Sequence, residues 1–270
     1  MTYIRGGIAV SVVAGALVAC GPSSSGDDTD ARTTDAAVDA RAIDATPIDA
    51  PPPPDVTVTI TADNAYSFGY GDVDGVATYI QGSRAQTAGQ IFNCGEGPEQ
   101  YTVPAAMAPD TAYLYVVSWD DLAVTQGVLG QFKRGSTPLY TGDDGWEVCA
   151  TGVNLQQSAV GPTQAEVNAQ IAICNAGTGS RQTTSAGWVS KTGPVTANAI
   201  GTVAVGETND AVQGGDFPPT CVDQPLGIDH QARWMWFNPG GVANPFRSTG
   251  QNTFRAYLIF RLPAIEIPIP

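Results

Sequence analysis

The chain has 270 residues, 43% of them hydrophobic and only 14% charged, against roughly 25% charged in typical soluble domains. Asp and Glu outnumber Lys and Arg by 26 to 12, which gives a net charge of −14, and Gly (31) and Pro (20) together form about a fifth of the chain. So acidic a chain repels the phosphates of nucleic acid and of anionic lipid headgroups; no nucleic-acid partner is expected, any membrane attachment has to be hydrophobic or covalent, and a mean hydropathy near zero excludes a polytopic membrane protein.

The first residues read as an export signal. Arg5 supplies the positive start, and Ile8 to Ala19 is an apolar run too short for a spanning helix of roughly 20 residues. Leu17-Val18-Ala19-Cys20, followed by Gly21, resembles the lipobox of bacterial lipoproteins. The resemblance implies cleavage after residue 19 and a diacylglycerol on Cys20, whose thiol is the nucleophile that takes the lipid. In that family an Asp after the Cys favours retention in the inner membrane, so Gly21 points to the outer membrane. More than one acyl chain at one Cys gives stable anchoring, at roughly 0.8 kcal/mol per buried CH₂. The alternative is an ordinary secretory signal that happens to end in Cys.

Residues 20–55 read as the lipidated Cys and a disordered spacer. From Gly21 to Asp55 there are eight Asp, two Arg, seven Ala, six Pro and no aromatic residue, which is too little apolar surface to offset chain entropy. Pro51 to Pro54 is stiff and extended, and Asp repulsion extends the rest, so the segment is a tether.

Residues 56–270 read as one domain, an all-β sandwich or jelly roll with one short inserted helix. Val56 to Thr61 alternates strictly, with Val56, Val58 and Ile60 on one face. Ala112 to Trp119 is rich in aromatic and β-branched residues. Val128 to Phe132 and Thr137 to Tyr140 flank a turn at Lys133 to Ser136, and Asp143-Asp144-Gly145 leads into a strand at Trp146 to Cys149. Ala199 to Val205, Arg233 to Phe237 and Phe254 to Leu262 are further strands. Thr163-Gln164-Ala165-Glu166 is a capping box, and Val167, Ile171 and Cys174 follow at helical spacing before Gly177, which predicts a helix over Thr163 to Asn175.

Ile60-Thr61-Ala62-Asp63-Asn64-Ala65-Tyr66 resembles the opening of bacterial galactose-binding-like β-sandwiches, and Ala232 to Phe237, with its Trp234-Met235-Trp236, together with Tyr257 to Arg261 resembles their closing strands. The resemblance spans about 56–263 and implies a sandwich that binds a ligand and often holds a structural calcium. The centre of this chain, with four cysteines and a helix, departs from that pattern.

Apart from Cys20, the cysteines are Cys94, Cys149, Cys174 and Cys221. An even count after an export signal predicts two disulfides. Of three possible connectivities the nested one, Cys149–Cys174 inside Cys94–Cys221, ties the helix to the neighbouring strand. A metal site is the alternative, but there is no CxxC and one His. Gly71-Asp72-Val73-Asp74-Gly75 offers carboxylates two apart, either a calcium loop (Asp72, Asp74) or a solvated turn. No other cofactor is implied.

No catalytic motif is present. His230 follows a loop-like stretch and lacks a GxSxG partner, so it reads as a loop or packing residue. Asp120, Asp121, Asp143, Asp144 and Glu147 include pairs that a glycosidase could use, although adjacent acids at strand ends usually shape turns. Aromatic faces stack on sugars; Tyr101 and Trp188, near Gly/Pro-rich sequence, are the candidates for exposure. These residues predict an exported, lipid-anchored envelope protein that displays a non-enzymatic β-sandwich, either a ligand-binding module for a glycan or a structural module, with a glycan or an envelope protein as the partners to consider. A carbohydrate hydrolase and a subunit of an envelope assembly are the alternatives.

Overall fold

Val56, Val58 and Ile60 alternate with threonines, and this period-two pattern forms strand β1 (Val56–Asp63) with the three aliphatic side chains fully buried. The structure is a computed structural model that describes residues 52–92, 98–120, 124–155, 160–178, 187–210, 215–222, 224, 226–247 and 256–270. The signal, Cys20, the spacer as far as residue 51, Cys94 and Asp121 lie outside these residues.

Further strands follow in chain order: β2 (Ala65–Asp72), β3 (Gly75–Arg84), β4 (Glu99–Val103), β5 (Tyr113–Trp119), β6 (Gly127–Arg134), β7 (Thr137–Tyr140), β8 (Glu147–Asn154), β9 (Val189–Ser190), β10 (Gly193–Pro194), β11 (Thr202–Thr208), β12 (Arg233–Asn238) and β13 (Ala256–Pro263). They form two antiparallel sheets. Sheet A has the order β11-β12-β6-β1-β4, with β7 beside β6; sheet B has the order β10-β9-β8-β13-β5-β2-β3. The fold is an all-β sandwich with one inserted helix of some length, α2 (Gln164–Ala176), and a single turn of helix, α1 (Ala88–Phe92).

Alternation sorts each strand of sheet B into two layers. Leu114 and Val116 of β5, Val148 of β8 and Leu258, Phe260 and Leu262 of β13 face sheet A, where they meet Val58, Ile60 and Phe132. Tyr115 and Val117, Cys149, and Tyr257 and Ile259 face the other way and form a second apolar layer with Val167, Ile171 and Cys174 of α2. Both faces of β13 are therefore buried, and its outward side chains are covered by the helix that the sequence places against the sandwich.

The ends of α2 follow from its sequence. Thr163 is the N-cap, its side chain accepting from the Glu166 N–H while the Glu166 carboxylate accepts from the Thr163 N–H; Gly177 ends the helix at φ 63°. The predicted start is one residue early because Thr163 caps the helix without entering it. Asn168 accepts from the Val76 N–H (2.7 Å) and donates to the Val76 carbonyl (3.1 Å), and Gln164 also donates to that carbonyl (2.8 Å). Helix side chains thus occupy backbone groups of edge strand β3, a standard protection against strand addition.

Cys149 and Cys174 form a disulfide that fastens α2 to β8 across 25 residues of chain. Cys221 is also disulfide-bonded, with its partner outside the described residues. Closing a loop of that length is worth about 3 kcal/mol on the chain-entropy account. The double variant Cys149→Ala/Cys174→Ala is expected to lose about that much in a urea titration; an unchanged midpoint would show that packing alone holds α2.

Candidate functional site: a polar pocket on the outer face of sheet A

In β6, Phe132 faces the core against Trp146, with ring centroids 5.0 Å apart, so Gln131 and Lys133 face outward. The described residues between 215 and Gln231 run over this outer face, with Phe217 and Ile228 buried. Its anchor is Asn209, fully buried just after β11. The Asn209 amide donates to the carbonyls of Thr220 and Ile228 (both 2.9 Å) and accepts from the Thr220 N–H (2.7 Å). Gln131 fixes the segment from below, donating to the Gly227 carbonyl (2.9 Å) and accepting from the Asp229 N–H (3.1 Å).

Between β6 and this loop lies a pocket of about 220 Å³ lined by Gln131, Lys133, Gln224, Gly227, Asp229 and His230, together with Val222 and Ile228. Asp229 organises it. Its carboxylate accepts from the Gln231 N–H (2.8 Å), and its Oδ1 lies 3.3 Å from His230 Nδ1. The Tyr140 hydroxyl donates to it as well; burial first, and then this carboxylate, push the Tyr140 phenol up to about 12. The His230 imidazole is largely exposed at the rim.

Asn209→Ala is expected to cost about 2–4 kcal/mol, because two carbonyls and an N–H lose their partner in a dry setting. Thermal unfolding would measure this, and a shift of less than 2 °C would mean that the loop is held by other contacts.

The residues singled out from sequence lie elsewhere. Trp188 is 1% exposed, on the outer side of sheet B, with the Arg261 guanidinium 3.9 Å from its ring centroid. Tyr101 is half-buried, stacked on Phe68 with centroids 5.0 Å apart, and its hydroxyl donates to Glu99 (2.7 Å). This corrects the expected exposure: Arg261 covers Trp188, Phe68 covers a face of Tyr101, and the two aromatics do not form a joint platform. Asp72 Oδ1 accepts from the backbone N–H groups of Asp74 (2.9 Å) and Gly75 (3.2 Å), so one of its oxygens holds the β2–β3 turn. Among the described residues no three His, Cys, Asp or Glu side chains gather as a metal-ligand set.

The acids considered for hydrolysis separate in part. Asp143 accepts from the Tyr140 N–H (2.8 Å), and Asp120 is buried at the end of β5. Asp144 and Glu147 share a cleft of about 230 Å³ with Trp146 and Ser190 to Thr192. Lys191 lies 2.9 Å from Asp144 and Arg261 lies 2.6 Å from Glu147, so each carboxylate is engaged by a cation.

Sequence reasoning missed the pocket because Gln131 and Gly227 are 96 residues apart. The available signal was the parity of β6, which puts Gln131 and Lys133 on the face away from Phe132. Among the described residues no helix is long and apolar enough to cross a membrane. Comparison with family models, curated proteins and solved structures finds no match to this chain.

Proposed function

We propose that this protein is a lipid-anchored protein of the bacterial cell envelope, attached through Cys20, which displays a β-sandwich that binds a glycan without chemical turnover. The observation that carries the binding reading is the pocket at Gln131, Lys133, Asp229 and His230: polar throughout its floor and held in place by buried amides before any ligand arrives. Such preorganisation reduces the ordering cost of binding. The Cys149–Cys174 bridge fits an oxidising compartment outside the cytoplasm.

The pocket is smaller than the roughly 300–1,000 Å³ of sites for drug-sized ligands. It therefore suits one sugar ring of a longer chain, with modest affinity per site. Many copies tethered to one envelope would raise the effective strength through avidity.

Two measurements test this reading. Growth with a clickable fatty acid should label the wild-type protein and leave Cys20→Ala unlabelled; an unlabelled wild type would overturn the anchor. A glycan array probed with the mature protein, with and without calcium, should show binding to at least one polysaccharide class. A silent array in both conditions would overturn glycan recognition and move weight to an envelope-assembly role. The hydrolase alternative draws on one observation, the cleft shared by Asp144 and Glu147. Release of reducing ends from envelope polysaccharide, abolished by Glu147→Gln, would favour it.

A further inference from the structure

The hydrogen-bonding capacity left unused in the pocket narrows the ligand class, and the argument rests on the glycan reading. Its acceptors are largely occupied. The Gly227 carbonyl takes a hydrogen bond from Gln131, Gln131 Oε1 takes one from the Asp229 N–H, and the Asp229 carboxylate takes those of Gln231 and Tyr140 beside His230 Nδ1. What remains to face a ligand is donor-rich: the Lys133 ammonium, the Gln224 amide and the outer edge of His230.

Two cations of the described residues, Lys133 and Arg84, stand apart from the rest. Arg134 donates to the carbonyls of Ala108 and Ala264, Arg233 donates to the Gly206 carbonyl, and Lys191, Arg247 and Arg261 are paired with Asp144, Asp216 and Glu147. Neither Lys133 nor Arg84 has a hydrogen-bond or ion-pair partner among the described residues, and of the two it is Lys133 that lines the pocket. The pocket thus sets one uncommitted ammonium, Lys133, against one engaged carboxylate, Asp229, in a chain that is acidic as a whole.

The sheet extends the site. Lys133 is in register with Thr57 of β1, and Thr57 with Thr102 of β4. Directly opposed residues share a face, so the two hydroxyls continue outward from Lys133 over about 10 Å of polar sheet surface.

We infer that the pocket selects an acidic sugar, holding the carboxylate of a uronate residue on Lys133 while Thr57 and Thr102 meet hydroxyls of the adjoining sugar.

The test is calorimetric titration of the mature protein in detergent with trigalacturonate and with the neutral galactose trisaccharide of the same linkage. The acidic trimer should bind roughly tenfold more tightly, the scale of one charge-assisted hydrogen bond. That preference should fade in high salt. Lys133→Gln should bring the acidic trimer down to the affinity of the neutral one without moving the melting temperature, and Lys133→Arg should restore the preference. Equal binding of both trimers, or a preference that survives Lys133→Gln, would overturn the uronate assignment and leave glycan binding standing. Absence of binding by either trimer, by a protein that does bind on the glycan array, would also overturn it. A silent array would instead bring down the glycan reading and this inference with it.

Discussion

Raising the pH above 10 is expected to unfold the protein in one cooperative step, with tyrosinate absorbance rising together with the loss of near-UV circular dichroism. Tyr66, Tyr115 and Tyr257 are almost fully buried, and burial is the first cause that pushes each phenol above its usual value of 10. Tyr66 is held further by donating to Glu99 and by its contact with Tyr101. The folded state keeps these phenols neutral while the unfolded chain releases their protons. Their stabilising contribution is therefore complete below pH 10 and is lost as the pH climbs towards the raised values of the folded state. Each such group costs about 1.4 kcal/mol per pH unit, so three cost about 4 kcal/mol per unit, against a total stability of about 5–15 kcal/mol. Unfolding should be complete within roughly two to three units above pH 10. Gradual ionisation of these tyrosines with the circular dichroism intact would show that the phenols are not enclosed.

Arg261→Ala is expected to lower stability by about 3 kcal/mol, or about 10 °C in melting temperature for a domain of this size. Arg261 is 6% exposed and stands opposite Glu147 in the β8–β13 register. Its guanidinium donates to Glu147 (2.6 Å) and to the Asn175 side chain (3.1 Å), lies over Trp188, and is 5.0 Å from the Tyr113 ring centroid. Trp188 Nε1 donates to the same Asn175 oxygen (2.7 Å), so one cation joins β8, the end of α2 and the residue that leads into β9. Truncation strands a mostly buried carboxylate and uncovers an indole. The double variant Arg261→Met/Glu147→Gln should recover part of the loss, because the cost of a broken pair is mainly the charge left behind. If Arg261→Ala and the double variant match wild type in urea titrations, the cluster contributes nothing to the fold.

How far the sequence could be read depended on whether the signal was local. β1 declares itself through Val56, Val58 and Ile60, and α2 through Thr163, Glu166 and the spacing of Val167, Ile171 and Cys174. The Cys149–Cys174 bridge follows from placing that helix beside β8. By contrast β3 has no clean alternation. It is an edge strand whose backbone groups are met by Asn168 and Gln164, so its stability comes from another element. Trp188 shows the same limit. Gly and Ser around it read as loop, yet Arg261 and Asn175, distant in the chain, close over it. The pocket was the least legible part, because its two sides are an outward strand face and a loop that meet through the Gln131 amide.

Glycan binding is proposed at the pocket between β6 and the loop that carries Gly227 to His230. Amide chemical-shift mapping with an oligosaccharide drawn from the array tests it most directly. The largest shifts are expected on Gln131, Lys133 and Gly227 to His230; shifts centred on Glu147 and Ser190 to Thr192, with the pocket silent, would contradict the proposal.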